Sequence, residues 1–378
     1  MKLLKIVANN FKLCEDNFTI SYVPVANKTE EDKEFELNEI NENLYTFSTI
    51  GIVGKNASGK TTAVELLALV YEILSFFRVK NTYLIDIIDK KLNLDITFYH
   101  DKYIYRYVTN LLPSNNKTIA FANEKLYKRL YFKTHSKDLF NYDKYEEIDT
   151  TNYHLPDDTS ILYYVLNKIL LRGVYLSSDD FNYMGYSEAF DTYKLFNSTS
   201  IISKILKMFD EHLENIAKLK EDEYKIYYTN KTTKIVNSRE LYKLLSSGTT
   251  KGFSLFTFAI YSLLFGADLV IDEIENHFHK TLVENLINLY KDKSVNKHNA
   301  TLIFTTHYPE LLDLFNRADN IYITKYNDKI KLENMYLNYN FRPELSKSKK
   351  FYNNAFGTAI DYEALMDFKD KLQNTNIS

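Results

Sequence analysis

Read for apolar and polar positions, the chain opens on two strand-like segments, residues 2–7 and about 17–25, and then gathers apolar residues from Asn43 to Val53. That run ends in Gly54-Lys55-Asn56-Ala57-Ser58-Gly59-Lys60-Thr61-Thr62, which predicts a buried strand feeding a glycine loop. Past the loop, Val64, Leu67, Ala68, Tyr71 and Leu74 recur at helical spacing and predict a helix from Thr61 to Phe77. Leu92, Leu94, Ile96 and Phe98 alternate with polar residues, as do Tyr103, Tyr105 and Tyr107 after His100-Asp101, which is the pattern of a hairpin. The stretch from about 110 to 200 is polar and tyrosine-rich, with a helix expected from Ser160 to Leu171. A longer helix is expected over 199–219, with Ile202, Ile205, Phe209, Leu213 and Ile216 on one face, and a second hairpin around Tyr224 to Tyr228 and Lys234 to Val236. From there the pattern reads helix (Phe253 to Phe265), strand (Asp268 to Ile271), helix (Lys280 to Tyr290), strand (Thr301 to Thr305), short helix (Pro309 to Phe315) and strands near 320–334. Such alternation predicts an α/β fold with a mostly parallel sheet, preceded by an antiparallel β portion.

Composition narrows the function classes. With 45% hydrophobic residues over 378 positions the chain has ample material for real cores. Its 47 basic and 50 acidic residues give a net charge of −3, so no global electrostatic argument favours DNA, RNA or an anionic membrane. The apolar stretch Phe253 to Phe265 is broken by Ser254, Thr257 and Ser262 and is shorter than the ~20 residues of a membrane span, so no membrane association is expected. Lys2 and Lys5 interrupt the apolar start, which therefore does not read as a signal peptide, and the single cysteine, Cys14, suits a reducing cytoplasm and a buried position.

The chemistry is concentrated in four motifs. In the Gly54 to Thr61 loop, glycines allow backbone amides to face phosphates and the following helix adds its positive end. Lys60 is expected to bridge the β- and γ-phosphates of ATP, and Thr61 to hold Mg2+. Asp272 and Glu273 end the apolar strand Leu269-Val270-Ile271, which places Asp272 to contact the metal and Glu273 to polarise the attacking water. His307, after Thr305 and Thr306 at the end of another apolar strand, is expected to sense the γ-phosphate. Ser246, Ser247 and Gly248, in Leu245-Ser246-Ser247-Gly248-Thr249, form an ordinary N-cap that can also present a helix N-terminus to a phosphate. His277 and His279 flank no third soft ligand and read as subunit-contact residues.

In this order, and with Asn10-Phe11-Lys12 near the start, Asn56 in the loop, Ile271-Asp272-Glu273-Ile274-Glu275-Asn276 with His279, and Thr306-His307-Tyr308-Pro309-Glu310, the chain resembles ABC-type ATPases of the group that holds chromosome-maintenance, recombination-repair and abortive-infection members. Small bacterial AAA-labelled ATP-binding proteins of phage-defence operons share this appearance. The resemblance implies a P-loop NTPase head that hydrolyses ATP with Mg2+, slowly, and closes onto a second copy so that the Ser246 loop completes the partner's site. It covers roughly residues 1–75 and 240–330, and suggests a head made of 1–78 and 241–335, an accessory α+β lobe at 79–240 and an extension at 336–378. Two departures stand out. The only glutamine is Gln373, so the coupling glutamine of transporter-type members is missing, and His279 stands where many such proteins carry an aspartate.

The resemblance implies a cytoplasmic homodimer or higher homo-oligomer controlling a separate effector, a nuclease or toxin, in antiviral defence. Overcoming-lysogenization-defect nucleases carry a nuclease domain after the ATPase, and the tail here is too short for one, so the effector is expected to act in trans. A DNA-repair or chromosome-maintenance ATPase is the alternative, with Lys347-Lys349-Lys350 and Lys125-Lys128-Arg129 as candidate nucleic-acid contacts. A transporter subunit is disfavoured by the missing glutamine.

Overall fold

The computed structural model describes residues 1–114, 117–177, 199–276, 278–339, 346–357 and 362–373. Its centre is a six-stranded sheet in the order Gly173–Leu176, Asp268–Ile271, Leu302–Thr306, Thr49–Val53, Ile321–Asn327, Lys329–Asn334. The first five strands are parallel to their neighbours, and the hairpin partner Lys329–Asn334 is antiparallel. Strands buried on both faces carry continuous apolar runs, Leu269-Val270-Ile271 and Leu302-Ile303-Phe304 here, because helices or a second sheet cover each side.

One cover is the helix Lys60–Phe76, which carries apolar residues almost all round and is sandwiched between two sheets. Its Val64, Leu67 and Ile73 share a core with Ile50, Ile52, Val270 and Ile303 of the parallel sheet and with Ile6, Ile96, Phe98 and Leu111 of an antiparallel sheet. That second sheet runs Phe18–Ser21, Lys2–Asn9, Leu92–His100, Tyr103–Pro113, Ile119–Leu130, Glu146–Glu147. The opposite face of the parallel sheet packs Leu302 and Phe304 against Leu255 and Leu263 of the helix Ser247–Phe265 and Leu286, Ile287 and Tyr290 of the helix Lys280–Lys291.

The stretch 79–240 falls into several places. Leu92–His100 pairs with Lys2–Asn9, and Gly173–Leu176 pairs with Asp268–Ile271 at the edge of the parallel sheet. A separate small core joins the sheet Leu213–Lys220, Glu223–Tyr228, Thr233–Val236 to the helix Thr199–Phe209 and to Phe253 and Phe256 of the helix Ser247–Phe265.

Two expected helices are shorter than their patterns. Residues 199–219 divide into the helix Thr199–Phe209 and the strand Leu213–Lys220. A register shift between Leu213 and Asn215 lets Leu213 and Ile216 both be buried in that strand, which reproduces helical spacing without a helix. The Ser160 to Leu171 segment is helical only over Leu162–Leu166, ending where Asn167 turns left-handed at φ 56°. Pro309–Leu314 is a 3-10 helix. Cys14 is buried. Among the described residues no helix is long and apolar enough to cross a membrane.

Candidate functional site

Parallel strands present their carboxyl ends along one edge, and the polar residues that follow three adjacent strands converge there. Thr49–Val53 leads into the glycine loop, Asp268–Ile271 into Asp272 and Glu273, and Leu302–Thr306 into His307. The loop itself is built around tight contacts. A Cβ on Gly54 would lie 2.2 Å from Thr324 Oγ1 and 2.4 Å from Ser58 Oγ, so no larger residue fits beside their 2.6 Å hydrogen bond. Gly59, at φ 101°, caps the helix Lys60–Phe76 in a conformation that L side chains rarely adopt. Lys55, Asn56 and Ala57 are exposed at the loop's crown, Thr61 is exposed and Thr62 half-buried on the first turn.

Lys60 is buried, and its ammonium donates to the carbonyls of Gly54 at 3.0 Å and Lys55 at 3.2 Å. It also lies 3.3 Å from His307 Nδ1. Burial pulls its pKa down, opposed by the nearby Asp272, Glu273 and Glu275 carboxylates. On its other side the His307 ring places Nε2 3.2 Å from Glu273 Oε1. Lys60, His307 and Glu273 therefore form one continuous polar line at the sheet edge.

Asp272 is held from two sides. Thr61 Oγ1 donates to Oδ2 at 2.8 Å and Thr305 Oγ1 donates to Oδ1 at 2.6 Å. Burial raises its pKa, Glu273 adds to the rise, and the two hydroxyl bonds oppose it. The hydroxyl of Thr305 also accepts the main-chain N–H of Glu273 at 2.7 Å. Glu273 sits in the left-handed region at φ 53°, a strained conformation for a residue other than glycine that the surrounding bonds enforce. A hydroxyl and a carboxylate 2.8 Å apart are hard oxygen donors suited to Mg2+, which commonly takes one or two protein oxygens and fills the rest with phosphate and water. Among the described residues no group of three or more His, Cys, Asp or Glu side chains forms a metal cage.

Ser246, Ser247 and Gly248 lie apart from this cluster. Ser246 caps the helix Ser247–Phe265, its Oγ accepting from Thr249 N at 3.0 Å, and both Ser246 and Ser247 are exposed. His279 caps the helix Lys280–Lys291 through Nδ1, 3.3 Å from Thr281 N, while His277 lies outside the described residues.

Three residues of the cluster escaped the sequence reading. Thr305 is its hub, and the signal for it was present: buried hydroxyls, Thr305 and Thr306, closing a strand that begins Leu302-Ile303-Phe304. Thr324, 2.6 Å from Ser58, belongs to a strand far along the chain and had no local signal. Glu275 accepts the His307 N–H at 2.5 Å, although the sequence offered it only as part of the Ile271 to Asn276 motif, with no role of its own.

A cavity of about 720 Å3 opens beside the cluster, lined by Thr61, Tyr83, Tyr175, Ser177, Asp272 and Glu273 among others.

Among solved structures the chain is similar to the SMC head domain from Thermotoga maritima, with 13% identity, a TM-score of 0.40 and coverage of 88% of this chain and 99% of that one. It is also similar to an SMC head bound to the C-terminal winged-helix domain of ScpA (14% identity, TM-score 0.43, 88% and 97% covered). A third is the recombination mediator RecF with ATP (11% identity, TM-score 0.39, 88% and 97% covered). None of the curated proteins compared matches the chain. The sequence model of the family described as "AAA domain, putative AbiEii toxin, Type IV TA system" matches residues 50–313, from the strand before the glycine loop to the segment after His307. That match spans most of the chain and contains Lys60, Thr61, Asp272, Glu273, Glu275, Thr305 and His307, and the protein belongs to this family of AAA-domain P-loop ATPases.

Proposed function

We propose that the chain binds ATP with Mg2+ at the Lys60, Thr61 and Asp272 cluster, hydrolyses it, and uses nucleotide-dependent pairing of two copies to control a separate effector in an abortive-infection-like defence system. The observation that carries the hydrolytic part is the line from Lys60 through His307 to Glu273, with contacts of 3.3 and 3.2 Å. Lys60, released from the loop carbonyls, neutralises phosphate oxygens. Glu273, the half-buried outer end of the line, takes the proton of an attacking water, and His307 holds its carboxylate in orientation. Mg2+, held by Thr61 and Asp272, supplies positive charge to the phosphates.

Pairing is supported by the exposed Ser246 and Ser247, which cap a 19-residue helix whose N-terminus no residue of the cluster occupies. Each Ser246 loop then completes the partner's site. The defence role is supported by the family's description, which reads "putative AbiEii toxin, Type IV TA system".

The test is to purify tagged Glu273→Gln with ATP from the native host, with Lys60→Ala as the control. Co-purification of a nuclease or toxin with the first variant alone supports effector control. Bound DNA without a protein partner replaces the reading with DNA maintenance.

A further inference from the structure

We propose that Glu275 is a positioning residue for hydrolysis: by accepting the His307 main-chain N–H, its carboxylate fixes the histidine where its ring bridges Lys60 and Glu273. The inference rests on the hydrolytic reading of Glu273 and His307 given above.

Besides the Thr305 hydroxyl's bond to Asp272, the turn after Asp268–Ile271 and the end of Leu302–Thr306 are joined by three bonds from main-chain N–H groups. Two run from the turn to the strand: Glu273 N donates to Thr305 Oγ1 at 2.7 Å and Ile274 N to the Thr305 carbonyl at 3.0 Å. The third runs the other way, His307 N to Glu275 Oε1 at 2.5 Å. The following amide, of Tyr308, is satisfied locally by Thr306 Oγ1 at 2.9 Å. Glu275 is thus what holds the first residue beyond the strand, and that residue carries the imidazole.

The carboxylate is also costly where it stands. Glu275 is only 9% exposed, and among the described residues its buried Oε2 has no hydrogen-bond partner. A buried carboxyl oxygen left unpaired disfavours the folded state, so an apolar side chain would fill this turn at lower cost. What an apolar side chain lacks is the acceptor for His307 N. Movement of that amide carries the ring away from both of its contacts, whereas the glycine loop that meets the phosphates is untouched. Loss of Glu275 therefore lowers turnover and leaves nucleotide affinity in place.

Glutamine keeps the acceptor and alanine removes it, so the two substitutions separate positioning from charge. We would measure kcat, KM, pH profile, melting temperature and binding of a fluorescent ATP analogue for wild type, Glu275→Gln, Glu275→Ala, His307→Ala and the Glu275→Ala/His307→Ala double variant. Misplacing a catalytic group by about an ångström costs roughly 100-fold, so Glu275→Ala is expected to lose about 10- to 100-fold in kcat with analogue binding retained. Glu275→Gln is expected within about threefold of wild type with an unchanged pH profile, and the double variant no slower than His307→Ala. Unchanged kcat in Glu275→Ala, equal losses in the alanine and glutamine variants, additive losses in the double variant, or loss of analogue binding in step with melting temperature would each overturn the inference. If His307→Ala is impaired and Glu275→Ala is not, only this inference falls. A wild type that does not hydrolyse ATP removes the hydrolytic reading and this inference with it.

Discussion

Replacing Thr305 with valine tests the cluster at its hub. Valine matches threonine in shape but has no hydroxyl, so the Glu273 N–H loses its 2.7 Å acceptor and Asp272 Oδ1 its 2.6 Å donor. Thr305 is fully buried, and water has no easy route to replace either bond. Leaving a buried polar group unpaired costs about 1–3 kcal/mol, and two such groups, less the small gain from an added methyl, give a loss of about 1–5 kcal/mol. Thr305→Ser is the reference, because it keeps the hydroxyl and forfeits about 1 kcal/mol of methyl packing. The assay is urea unfolding of the ligand-free protein across a pH series, with ATP turnover alongside. Burial raises the Asp272 pKa, and in the wild type the Thr305 bond opposes that rise. An aspartate with a raised folded pKa favours folding below its ordinary value, and that contribution is lost as pH climbs through the raised value. The deficit of Thr305→Val against Thr305→Ser should therefore be largest near neutrality and shrink as Asp272 becomes protonated. A valine variant as stable as the serine variant at neutral pH, or a deficit that grows in acid, refutes the reasoning.

Three further outcomes follow from the same geometry. Asp272→Asn removes a buried charge while keeping partners for Thr61 and Thr305, so thermal shift should find it at least as stable as wild type at neutral pH although turnover is lost; marked destabilisation there would contradict the burial argument. Gly252→Ala would set a Cβ 2.1–2.5 Å from the Phe209 ring and should cost about 1–3 kcal/mol of stability, recovered in part by Phe209→Leu; an unaltered unfolding midpoint would mean the ring moves freely. Ser246→Arg should lose a cap worth about 1 kcal/mol and abolish ATP-dependent dimerisation in light scattering while the monomer still binds nucleotide; retained dimerisation would remove the composite-site proposal.

How much of this was legible depends on how locally each feature is encoded. The helix after the glycine loop, expected over 61–77, is Lys60–Phe76, because apolar spacing and the loop's glycines mark it within one segment. The hairpin at 92–107 and the strands Asp268–Ile271 and Leu302–Thr306 were visible for the same reason. The strand Gly173–Leu176 was missed, since four residues of mixed character acquire a strand's identity only from pairing with Asp268–Ile271. Leu213 and Ile216 misled because a bulge spaces two buried strand positions three apart. At the site, residue types and strand ends indicated Lys60, Asp272, Glu273 and His307. The roles of Thr305, Thr324 and Glu275 arise from contacts between segments that no local pattern records.

The strand Thr49–Val53 pairs on both sides with strands from the last third of the chain, and the neighbouring Thr301 hydroxyl bonds the Phe47 carbonyl across 254 residues. During synthesis this apolar segment, and the glycine loop it carries, emerges long before anything that can cover it. At roughly 5–20 residues per second the wait is on the order of ten seconds or more, during which an unpaired strand edge invites association with other chains. Only contacts within the early part of the chain, such as the hairpin Leu92–His100 with Tyr103–Pro113, can form in that interval. Nascent chains stalled before residue 302 should accordingly be bound by chaperones and carry no nucleotide, while release of the full chain should yield both together.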